Sequence, residues 1–133
     1  MYIRSILFVF IASIFFGCKN KVPFKPDYEV AEGVIIGVEI CKNNQSANAW
    51  LVQFSGPNAG GKSYGEKIAY NGVVYNNVLK TYQLPDSSKV SGKRFFFEFY
   101  LDGKSNQQIC DITNPITFNI EEIRIINILT SRN

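Results

Sequence analysis

A chain of 133 residues holds one domain, which leaves no room for a multidomain machine, a doubly wound dinucleotide fold or an eight-stranded barrel coated with helices. Fourteen basic residues against eleven acidic ones give a net charge of +3, too mild for the clustered basic face that nucleic-acid binding needs. Histidine is absent, which removes the commonest general base and the commonest metal ligand.

Arg4 is the only charge before Lys19, and residues 6–16 are apolar except for Ser13. Eleven residues are too few to span a bilayer as a helix, which takes about 20. They match the hydrophobic region of a secretory signal. The segment ends Phe15-Phe16-Gly17-Cys18. A small residue followed by cysteine at this point resembles the lipobox of bacterial lipoproteins. Phe15 stands where Leu is typical there, and Phe16 where a small residue is typical. The resemblance implies a lipid on Cys18 and a mature chain that starts with it. The other readings are plain cleavage near Gly17, with Cys18 a free thiol, and an uncleaved N-terminal anchor. The lipoprotein reading divides the chain into a signal peptide (1–17), a lipidated tether (18–29) and a β domain (30–133). The tether carries two prolines and three lysines and reads as an extended spacer. No acidic run follows Cys18, which favours a periplasm-facing protein over surface display. The expected location is therefore the bacterial cell envelope, on the outer or inner membrane, with the lipid as membrane contact.

From Val30 onward the signals are those of strands. The run from Gly33 to Cys41 places Val34, Ile36, Val38 and Ile40 on one face, and AWLVQF (49–54) groups Trp50, Val52 and Phe54. Between this strand and the next, Gly56, Gly61, Lys62 and Ser63 satisfy G-x-x-x-x-G-K-[ST], the phosphate loop of nucleotide-hydrolysing proteins. That loop must open a helix whose N-terminus faces the phosphates. Gly65 follows at once, Asn71-Gly72 leaves room for two turns at most, and no helical segment lies downstream. The match reads as chance, in a Gly-rich connection, with no nucleotide.

EKIAY and VVYNN flank Asn71-Gly72, the strongest short hairpin signal, so Tyr70 should face Val73 and Ile68 should face Tyr75. The run continues as NVLKTYQLP, with Val78, Tyr82 and Leu84 alternating against Leu79, Thr81 and Gln83, until Pro85 stops it. RFFFEFYL (94–101) puts Phe95, Phe97, Phe99 and Leu101 on a core face, with Phe96, Glu98 and Tyr100 opposite. The last strand, 117–129, starts with Phe118 and Ile120 inward. Its parity slips at Glu121-Glu122 before Ile123 and Ile125 align, which predicts a β-bulge. Five or six short strands joined by tight turns predict an all-β fold, a small antiparallel barrel or, as the alternative, a β-sandwich. The strand order resembles the five-stranded OB-type barrel at the level of topology, with its usual helix lost because 85–93 is short and polar.

With Cys18 assigned to lipid, Cys41 and Cys110 remain, and two thiols in an exported chain predict one disulfide. The alternative is a pair of buried free thiols; a redox-active pair is not indicated, since no C-x-x-C spacing occurs.

Without histidine no nucleophile–base pair can be assembled, and the carboxylates are scattered, so neither catalysis, a metal nor a cofactor is expected. Aromatic side chains are the remaining candidates for a binding face. Phe96 and Tyr100, beside Arg94, lie opposite the core face of their strand. Barrels of the OB type take ligands across their second and third strands, which implies Trp50, Tyr75 and Tyr82 by resemblance. The sequence thus predicts a non-enzymatic binding or interaction module of the envelope or, alternatively, an accessory subunit of an envelope protein complex.

Overall fold

The computed structural model of the chain describes residues 27–41, 44–56, 61–104, 110 and 118–130. The signal, the lipobox and most of the tether lie outside these residues. Among the described residues no helix is long and apolar enough to cross a membrane.

The fold is all-β. Among the described residues six strands run in chain order: β1 (Glu29–Glu39), β2 (Ala49–Phe54), β3 (Glu66–Tyr70), β4 (Val73–Thr81), β5 (Arg94–Gly103) and β6 (Glu122–Thr130). Two short 3-10 turns, Gln45–Ala47 and Asp86–Ser88, also lie among the described residues. The hydrogen-bonded order β2-β1-β5-β6-β4 closes on itself through a β2–β4 pairing, and β3 hangs on β4 as an additional arm. This ring is a small barrel with the order of the OB type, and the turn Asp86–Ser88 stands where that topology carries a helix. The expected all-antiparallel pairing needs one correction: β4 and β6 pair in parallel at Lys80 and Glu122. The ring can close only if the last strand returns beside β4 in the same direction, since β5 already lies between β1 and β6.

β1 serves two neighbours. Its first half pairs with β5 (Glu29 with Phe99 through Val34 with Arg94), and its second half pairs with β2 (Gly33 with Phe54 through Glu39 with Ala49). The change of partner bends the strand at a bulge between Ile35 and Gly37. The single face expected for Val34, Ile36, Val38 and Ile40 is broken by that bulge. Ala31 and Ile35 face the interior, Ile36 packs on the outside, and Ile40 is exposed. Gly33 sits where both partners meet; a Cβ there would press on Val52 and the Phe97 ring.

The β3–β4 hairpin has the predicted register, Tyr70 opposite Val73 and Ile68 opposite Tyr75. Asn71 and Gly72 both take positive φ, as the two central positions of a type I′ turn require. β4 ends at Thr81, earlier than its apolar run suggests, and Leu84 packs into the core from beyond it. β6 begins at Glu122 rather than at residue 117. Phe118 and Ile120 precede it, while the Lys80 amide donates to the Glu121 carbonyl. The parity slip predicted at Glu121-Glu122 is absent: Phe118 and Ile120, expected inward, pack outside the barrel and Ile123 inside, which is plain alternation. The register irregularity at this point lies at Asp102 of β5, and a second one lies between Asn127 and Ile125 of β6.

The interior is built from Phe95, Phe97 and Phe99 with Phe54, Leu79 and Ile35, all nearly inaccessible. Tyr64 stacks into it against Phe54 and Phe99, with ring centroids 5.8 and 5.3 Å apart. A second cluster lies on the outer surface of the same sheet: Leu51 and Val78 from the wall, Ile68 from the arm and Ile120 from the approach to β6. Cys41 and Cys110 form the predicted disulfide, with Cα atoms 5.6 Å apart, tying the β1–β2 connection to the segment before β6.

Candidate binding clefts at one end of the barrel

The face implied by the OB resemblance is covered. Barrels of this type bind across the second and third strands of the ring, here β2 and β4. The β3–β4 arm and residues 118–120 lie over the Leu51 and Val78 surface, with Ile36, Tyr70, Tyr75 and Phe118 sealing its margin. The Tyr70 hydroxyl donates to the Val38 carbonyl at 3.2 Å and accepts from the Val38 amide at 3.3 Å, fastening the arm to β1. Gly37 leaves room for that ring, since a Cβ there would overlap it.

Beneath the same cover lies a buried ion pair. Lys80 Nζ stands 3.5 Å from a Glu122 carboxylate oxygen, donates to the Phe118 carbonyl at 3.2 Å and lies 5.7 Å from the centroid of the Tyr82 ring. Both residues are buried. No sequence motif marks this pair. Its one signal is a lysine inside the otherwise apolar run VLKTY.

Two clefts open at the end of the barrel where β1, β4 and β6 finish and β2 and β5 begin. One, of about 530 Å³, is lined by Gln45, Ser46, Asn48, Trp50, Tyr82, Gln83 and Lys89. The other, of about 620 Å³, runs from Gln83, Leu84, Pro85, Ser87 and Ser88 across Lys93 and Phe95 to residues 125–128 of β6. The turn Asp86–Ser88 stands between them, and Gln83 borders both. Volumes of this size are those of small-molecule sites.

The local sequence explains the first cleft. Asn44 caps the turn Gln45–Ala47, its Oδ1 accepting from the Ser46 amide at 3.0 Å and from the Ser46 hydroxyl at 2.6 Å. Asn48 Oδ1 accepts the Cys41 amide at 2.8 Å, so the polar wall is fixed to the disulfide. Trp50 packs against the interior cluster and keeps part of its surface in the cleft. Lys89 donates to the Asp86 carboxylate at 2.6 Å. That hydrogen bond, helped by the ammonium charge, holds the Asp86 carboxyl below the usual carboxylate range.

The six aromatic and basic candidates from the sequence fall in three places. Trp50 and Tyr82 come together in the first cleft. Tyr75 is partly buried in the outer cluster. Arg94, Phe96 and Tyr100 lie on the outer face of β5, the last two 41% and 40% exposed. There Arg94 reaches Glu32 at 3.4 Å and the Ser55 hydroxyl at 2.7 Å, Phe96 lies opposite Leu129, and Tyr100 lies opposite Arg124, which grips Asp102. The polar lining by Gln45, Ser46, Asn48, Gln83 and Lys89 escaped the sequence analysis. The Asn- and Ser-rich stretch NNQSAN carries the only trace of it.

Lys62 of the phosphate-loop match donates to Glu29 Oε1 at 2.7 Å, and the neighbouring Tyr64 hydroxyl donates to Glu29 Oε2 at 2.6 Å. The chain then enters β3 at Glu66, so the helix such a loop must open is not formed. Among the described residues no group of three His, Cys, Asp or Glu side chains could hold a metal ion. No family model, no curated protein and no solved structure matches this chain.

Proposed function

We propose that the chain is a lipoprotein of the bacterial cell envelope, anchored through Cys18, whose barrel is a non-enzymatic binding module that takes its ligand in the clefts beside Gln83. The convergence of the chain's single tryptophan with Tyr82 and five polar side chains in one cleft carries this reading. Its placement agrees. It lies beside the finish of β1, where Glu39 pairs with Ala49, at the opposite end of that strand from Glu29. The absence of histidine supports binding over catalysis.

A second reading, an accessory subunit of an envelope complex, draws on the outer face of β5 and β6. Phe96 and Leu129 lie opposite each other there, and Val30 and Tyr100 add exposed apolar surface.

One experiment separates the two. The full chain is extracted from membranes in mild detergent and titrated with envelope extracts while Trp50 emission is followed. A saturable shift, weakened in Gln83→Ala, supports the binding module. Unchanged emission together with a stoichiometric co-purifying protein, lost in Phe96→Ala, supports the accessory subunit. A mature chain that does not start at a lipid-modified Cys18, read by intact mass, removes the anchor from both.

A further inference from the structure

We infer that the Trp50 cleft binds a neutral oligosaccharide, an assignment that rests on the binding-module reading and adds the chemical class of its ligand. Sugar rings present two chemistries at once: C–H faces that lie on aromatic rings, and hydroxyl groups that both donate and accept hydrogen bonds. The cleft supplies both. Trp50 is held rigid by the core behind it, and Tyr82 has the buried Lys80 ammonium over its ring, so both enter a complex with little rotamer freedom left to lose. Around them stand the amides of Gln45, Asn48 and Gln83 and the hydroxyl of Ser46. Amides and hydroxyls carry donors and acceptors alike, which matches a polyhydroxyl ligand.

Charge argues for a neutral ligand. Lys89, the one charged residue among the described residues that line the cleft, is already paired with Asp86 at 2.6 Å. A single-stranded nucleic acid would stack on the same rings, but it needs a positive groove along its backbone, and the described lining offers only the paired Lys89. The form of the site argues for an oligomer over a single sugar, because Gln83 borders both clefts and a ligand of several units that contacts it meets the edge of the second.

The test uses the full chain and two neutral series, chito-oligosaccharides and malto-oligosaccharides, with a polyuronate and an unstructured peptide as the other arms. Trp50 is the only tryptophan, so its emission reports this cleft alone. The expected result is a saturable emission change with one neutral series, tightening with chain length. Gln45→Ala and Gln83→Ala should each weaken it about fivefold to tenfold, the loss of one hydrogen bond, with the melting temperature unchanged. Emission that moves only with the polyuronate or the peptide overturns the sugar and leaves the binding module standing. Emission that moves with none of the four overturns the sugar, and silence toward envelope extracts as well overturns the binding module.

Discussion

The two sides of the barrel wall are packed by different means. Inside, rings from one strand meet rings from another: Phe97 and Phe99 of β5 lie 6.0 and 5.1 Å from Phe54 of β2. Charged groups meet this cluster at its rim, where Glu29 accepts from the Tyr64 hydroxyl and Lys93 Nζ lies 5.0 Å from the centroid of the Phe95 ring. Outside, beneath the β3–β4 arm, apolar side chains share the space with the Lys80–Glu122 pair. The inner layer is what closing a sheet into a ring produces on its own. The outer layer exists because an arm folds back over two strands of the wall. The difference explains where a ligand can go. The arm occupies the face that OB-type barrels use, and the free space lies instead at the end of the ring beside Asp86–Ser88.

If the inner layer carries most of the stability, Phe97→Ala should cost about 3–5 kcal/mol, the range for emptying an aromatic core site. Ile68→Ala, in the outer layer, should fall near the lower end of its class, about 2 kcal/mol, because the arm can settle into the gap. Urea denaturation of both variants checks this. Equal losses would show that arm and ring form one core.

The buried pair gives the next largest effect and sharpens the contrast. Lys80→Met leaves Glu122 buried without its counter-charge and should destabilise by about 3 kcal/mol. Adding Glu122→Leu to Lys80→Met should restore most of that loss, since apolar replacement of a buried pair is often neutral or better. A double-mutant cycle by thermal melting measures the coupling. A double variant as unstable as the single one would mean that Lys80 matters for its bond to the Phe118 carbonyl, as the clasp between β4 and the approach to β6.

The inner layer was legible in the sequence, and the outer one was not. Phe95, Phe97 and Phe99 alternate with polar or exposed partners, and period two is the direct signature of a one-sided strand. Asn71-Gly72 fixed the hairpin register for a similarly local reason. Val78 and Lys80 lie on the outward side of β4, where alternation predicts solvent. They are buried because Ile120 and the arm arrive from elsewhere in the chain, and no local pattern announces a cover. The bulge at Ile36 escaped for the same reason. It is imposed by β1 pairing with both β2 and β5. At the site, Trp50 and Tyr82 were candidates only through the OB resemblance, which pointed to the covered face and not to the cleft where they meet. Gln45, Ser46, Asn48 and Gln83 were not, because polar loop residues acquire a role only when a tertiary cleft brings them together.

The smallest effect bears most directly on whether arm and ring are separate units. Tyr70→Phe keeps the ring over Gly37 and removes only the hydroxyl that bridges the Val38 amide and carbonyl. Two part-buried backbone groups lose a partner, yet both lie near the arm's edge, where water can reach them. The cost should therefore be about 1 kcal/mol. Hydrogen exchange resolves where it falls. If the arm opens on its own, amides of Ile68 and Ala69 should exchange faster in the variant while those of Phe97 and Phe99 keep their protection, the behaviour of two cooperative units. Uniform acceleration across both sets would mean that the arm cannot lift without opening the barrel. In that case its closure over β2 and β4 is a permanent part of the fold, and the Trp50 cleft is the only one of the two candidate faces a ligand could reach without unfolding the domain.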